Sequence, residues 1–164
     1  MPVTLRSALI ALGLAAAATF AAAQAPASRP ARPAYPTDTT PSGVADWVIK
    51  NLDVQGLAVI AARPTVSIWL APEVDREALP RVRYWERQEV LSAAVESELG
   101  ARSLRVQKQI DCDRKVVRTL FIARYAGNNL TEFKDSPPPD GGAALVTPES
   151  PEFAEMNIVC APAG

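Results

Sequence analysis

Two cysteines, Cys112 and Cys160, are the only ones in the 164-residue chain, and they constrain its fold more than any other feature. Cys112 ends a strand-like run, Ser103 to Ile110, in which Leu104, Val106 and Ile110 share one parity. Alternation puts the Cys112 thiol on that same apolar side. Cys160 ends a helix-like run with Phe153 and Met156 at helical spacing before it, so its thiol joins an apolar stripe. Ser150 stands as N-cap, Pro151 suits the first helical position, and Glu152 suits the positive end of the helix dipole. A bond between the two thiols would fasten a C-terminal helix to a sheet across a separation of 48 residues.

A disulfide needs an oxidising compartment. Met1 to Ser7 carries Arg6 and no acid, Ala8 to Phe20 is apolar, and Ala23-Gln24-Ala25 supplies a small-residue exit. These are the parts of a secretory signal peptide, residues 1–25. The alternative is a membrane anchor, but the run is alanine-rich and shorter than the ~20 residues of a span. The exit holds no cysteine, so lipid anchoring is not expected. Residues 26–41 hold five prolines among Ala, Ser, Thr and Arg and read as a flexible leader, with a partner-recognition peptide as the alternative. The remaining residues, 42–164, suffice for one core and one domain.

Composition removes several function classes. Without Arg6, 17 basic residues become 16 against 18 acidic, which is no footprint for nucleic acid. The chain has no histidine, which excludes Ser-His and Cys-His nucleophile pairs and disfavours a metal site. No cofactor is expected. Glu73, Asp75 and Glu77 in a charged connection are better read as solvated surface than as a catalytic pair.

Along the chain, Asp46 to Lys50 and Gly56 to Ala61 read as strands, followed by Val66 to Leu70 between Pro64 and Pro72. Arg81 to Leu91 alternates, with Val82, Tyr84 and Val90 on one face and Arg81, Arg83, Trp85, Arg87 and Leu91 on the other. The arginine row around Trp85 is a candidate binding face for an acidic protein patch or a glycan. The competing reading is a solvated face whose arginines pair with Glu86 and Glu89. Residues 90–99 form either a short helix ended by Gly100 or an extended connection. Lys115 to Tyr125 is apolar on both parities, with Val117, Phe121 and Tyr125 opposite Val116, Leu120 and Ile122, as in a central strand. Gly127-Asn128-Asn129 is a turn, Leu130 to Lys134 a returning strand, and Ser136 to Gly142 a loop. The fold class is α+β: an antiparallel sheet of about six strands with the C-terminal helix on one face.

Trp47, Arg81-Val-Arg-Tyr-Trp85, Asp111-Cys112 with Arg114 and Arg118, Tyr125 before Gly127, and Pro148-Glu-Ser150 leading to Cys160 carry a resemblance. Over residues 45–161 the chain resembles the surface-adhesin protein E family of exported bacterial proteins. The resemblance implies an antiparallel sheet with a disulfide-tied C-terminal helix, and attachment to host cells or matrix proteins. It identifies no host-binding residues here. The expected role is an exported, non-catalytic binding domain at the cell surface or secreted, contacting extracellular or envelope proteins. The alternative is a soluble periplasmic protein that binds another envelope component.

Overall fold

The computed structural model describes residues 32–162. The segment expected to be a signal peptide, and the expected leader up to residue 31, lie outside the described residues.

Helix α1 (Pro41–Asn51) comes first, where a strand was expected over 46–50. Thr40 caps it by accepting from the Gly43 N–H, and Pro41 opens it. Val44, Val48 and Leu52 recur every fourth residue and are buried against Trp69 and Leu91, while Ile49 faces solvent. A five-residue window around Trp47 misses both outer members of that stripe.

Seven strands among the described residues form one antiparallel sheet. In chain order these are β1 (Ala58–Ala62), β2 (Val66–Ala78), β3 (Arg81–Val90), β4 (Ser103–Asp111), β5 (Val116–Tyr125), β6 (Phe133–Asp135) and β7 (Ala143–Leu145). Strands β1 to β5 pair in sequence order; β6 and β7 both pair with β5, at opposite ends of it. Helix α2 (Ala93–Leu99) joins β3 to β4, capped by the Ser92 hydroxyl and ended by Gly100 at φ 64°. Helix α3 (Pro151–Val159) closes the fold.

Three further expectations change. Pro72 does not end β2: it falls in a register irregularity between Leu70 and Val74, where a missing N–H costs no ladder bond. The strand therefore consumes most of the charged connection, leaving Leu79-Pro80 as the turn into β3. The returning strand shrinks to Phe133–Asp135, because Asn129, Leu130 and Glu132 all take positive φ. The parity of β5 also breaks. Gln107 pairs with Phe121 and Lys108 with Thr119, so Leu120 is an extra residue. Val117 is consequently in the core, while Phe121 is exposed on the other face.

The two faces of the sheet differ. On one, α3 packs Met156 and Val159 against Leu70, Val82, Tyr84, Ile110 and Val117, with Phe153, Cys112 and Cys160 at the margin. Cys112 and Cys160 are bonded, their Cα atoms 5.8 Å apart, as the shared apolar parity required. Towards the far end of the same face, α2 contributes Val95 and Leu99 to a cluster with Val90, Leu104 and Val106. On the other face α1 covers only the end near Trp69 and Leu91. Before α1, Arg32 to Tyr35 lie against the domain: the Arg102 guanidinium sits 3.9 Å from the Tyr35 ring and donates to the Pro33 carbonyl at 2.6 Å.

Candidate binding face

The uncovered part of the second face spans β3, β4 and β5, and their register arranges its side chains in rows. Arg83 lies beside Gln109, which lies beside Arg118. The next row is Trp85, Gln107 and Phe121; the next is Arg87, Arg105 and Ala123. The β5 bulge is what puts Arg118 and Phe121, of opposite sequence parity, on one side. Trp85 and Phe121 meet edge to face at 5.9 Å, and the Arg105 guanidinium stands 4.3 Å above the Trp85 ring. Arg118 Nε donates to Gln109 Oε1 at 2.9 Å, which holds its fork extended over the sheet.

Two shallow clefts open here. One, of about 530 Å³, is lined by Arg81, Gln109, Arg114 and Arg118 with Asp111 and Asp113 on the turn around Cys112. The other, of about 300 Å³, lies between Glu73, Asp75, Arg83, Trp85 and Gln107. Of the four residues expected at a binding face, Arg81 and Arg83 are exposed and Trp85 is half-buried beside them. Arg87 is engaged inside the fold. It donates to Glu89 Oε1 at 2.7 Å, to the Asp53 carbonyl at 2.5 Å and to Asn129 Oδ1 at 2.6 Å. Arg105, Arg118, Gln107, Gln109 and Phe121 were not legible as neighbours, because the pairing of β3 with β4 and the bulge in β5 bring them there.

Of the alternative pairing of the arginines with Glu86 and Glu89, Arg87 with Glu89 forms, but not on a solvated face, since both glutamates are buried, at 1% and 0% exposure. Glu86 points beneath α3, where one ammonium meets three carboxylates. Lys108 is ion-paired with Glu86, with Glu152 at 3.0 Å and with Glu155 at 3.3 Å. Tyr84 donates its hydroxyl to Glu155 at 2.5 Å. Burial, then the neighbouring Glu86 charge, pushes the Glu155 carboxyl up to about 8. Burial and the Glu155 charge likewise raise the Tyr84 phenol. Burial works against the Lys108 charge, but Glu86 and Glu155 outweigh it and hold the ammonium above its ordinary value. Glu89, too, is raised by burial, against the pull of Arg87 and Asn128.

A cluster of this kind binds α3 to the sheet; Glu86 and Glu155 are sealed from solvent, and the open face carries the surface chemistry. Among the described residues no group of three His, Cys, Asp or Glu is placed to hold a metal ion, and no helix is long and apolar enough to cross a membrane.

Comparison with known proteins yields a family and a set of folds. No curated protein sequence matches. A structure of Haemophilus influenzae protein E covers 79% of this chain and 91% of its own at 15% identity and a TM-score of 0.49. A second crystal form of that protein covers 79% and 95% at 16% identity and a TM-score of 0.47. The family model for surface-adhesin protein E matches residues 60–161, a stretch that runs from β1 through α3 and includes both cysteines. The chain belongs to the surface-adhesin protein E family.

Proposed function

We propose that this chain is an exported, non-catalytic binding domain that makes contacts outside the cell through the open face of its sheet. The observation that carries this reading is the row of Trp85, Gln107 and Phe121 between rows bearing Arg83 and Arg118 on one side and Arg105 on the other. The solvated face of an antiparallel sheet ordinarily carries polar residues alone. This one instead presents an aromatic pair and arginines, the residue types that concentrate binding energy at interfaces. Family membership points the same way, as does the export signal read in the first 25 residues.

The test is attachment. Beads coated with the mature domain should adhere to epithelial cells or extracellular matrix, and Trp85→Ala and Arg83→Glu should each reduce adhesion several-fold, Arg83→Glu without changing thermal melting. Protease added to intact producing cells should cleave the domain. Protection until the outer envelope is opened, together with beads that do not adhere, would overturn the reading in favour of a periplasmic partner.

A further inference from the structure

We propose that the open face is a docking surface for a sulfated polysaccharide, an inference that rests on the binding role above and names its ligand class. Two groups among the described cations contrast, and Lys50, Arg63, Lys115 and Lys134 are further exposed cations outside both. Arg32, Arg87, Arg102, Lys108 and Arg124 are ion-paired with carboxylates. Arg81, Arg83, Arg105, Arg114 and Arg118 are exposed, and no ion pair among the described residues joins any of them to a carboxylate. All five lie on or beside the open face.

The grid of β3, β4 and β5 positions set by Arg83, Trp85, Gln107, Gln109, Arg118 and Phe121 contains no carboxylate. Acidic side chains lie at its borders: Asp75 opposite Arg83 on β2, and Asp111 opposite Arg81 at the end of β4. Anionic charge is therefore accepted in the middle and repelled at the rim, which defines a track. The row of Arg83 and Arg118 is four residues along the strand from the row of Arg105, a distance of about 13 Å. Each guanidinium is solvated, so a single anion gains little from it. An anionic polymer engages both rows at once, and the second contact is then intramolecular.

Two features favour a glycan over an acidic protein segment. Both clefts are shallow and lined mostly by charged and amide side chains; the apolar hollow beside Trp85, lined by Leu57, Ala71 and Leu130, is smaller, about 180 Å³. Half-buried Gln107 stands between the arginines, where its amide meets hydroxyl and sulfate oxygens, while buried Gln109 holds Arg118, and guanidinium forks bind oxoanions in bidentate fashion.

The experiment is retention of the mature chain on immobilised heparin, with chemically desulfated heparin as control. Arg83→Glu, Arg105→Glu and Arg118→Glu should each weaken binding by about tenfold, the scale of one charge-assisted contact turned repulsive. Arg63→Glu, an exposed change in the turn before β2, should leave it unaltered, and thermal melting should be the same for all four. Equal loss in Arg63→Glu, equal binding to desulfated heparin, or competition by polyglutamate at lower concentration than by heparin would each overturn the proposal. Beads coated with the domain separate this inference from the reading beneath it. Loss of attachment to cells enzymatically stripped of sulfated glycans supports both. Attachment that survives stripping but still depends on Trp85 overturns the glycan and leaves the binding face standing.

Discussion

At the scale of single residues, Glu155 occupies a crowded site sealed from solvent. It is fully buried beneath α3, accepts from Tyr84 and shares Lys108 with Glu86 and Glu152. Its proton is retained in the folded state up to about pH 8, whereas the unfolded chain releases it near the ordinary glutamate value of 4.5. Between those limits the folded state binds the extra proton, so stability is greatest below the lower limit and falls as pH rises through the window. Glu89, raised by burial, acts in the same direction, and the raised Lys108 affects only more alkaline pH. Glu152 is lowered, its burial outweighed by Lys108, and contributes stability that is lost only as the solution turns more acidic than the window. Glu155→Gln should flatten the fall in melting temperature between pH 5 and pH 8 and leave the variant more stable than the parent at pH 8. Melting curves at both values check this; an unchanged slope would show that the proton resides elsewhere in the cluster.

At the scale of elements, α3 is short, and its nine residues alone are too few to hold a helix in water. Its position depends on three attachments: Met156 and Val159 in the core, the Lys108 cluster near its start, and the disulfide at its end. Arg76 Nε donating to the Val159 carbonyl at 3.1 Å satisfies one of its last acceptors. Closing a loop of 48 residues restricts the unfolded chain by about 4 kcal/mol in the loop-entropy account. Cys160→Ala should accordingly lower stability by about 2–4 kcal/mol. Hydrogen exchange in residues 151–159 should rise more than in β3 and β4, since the loss is concentrated at one element. The capping residues of α3 and the period of its stripe are legible in the sequence, because both lie within a few residues of one another. The α1 stripe is hidden there, because the five-residue window 46–50 is too short to separate a period of two from one of 3.6.

At the scale of the whole molecule, the sheet assigns stability to one face and surface chemistry to the other. Lys108→Met would leave three glutamates under α3 without their cation, and removing one partner of a buried pair costs about 3–5 kcal/mol. Arg83→Glu, on the exposed face, should change stability by less than about 0.5 kcal/mol. Chemical denaturation of the two variants side by side measures the division: comparable losses would mean that the open face also holds the fold together.

The amino-acid sequence by itself determined the alternation of β3 and β4, the inward parity of Cys112 and the stripe that aims Cys160 at it. Each of these is written in neighbours a few residues apart, and local sterics and burial act on that range. Tertiary structure alone decided that Leu120 would bulge and turn Phe121 outward beside Trp85, and that Glu86 and Lys108 would share a buried site. It also decided that Arg87 would be drawn into the fold while Arg105 and Arg118 joined Arg83 on the surface. Those outcomes depend on which strand lies beside which and in what register. Register is settled by the burial of whole strand faces against α3 and α2, a cooperative sum over residues far apart in the chain.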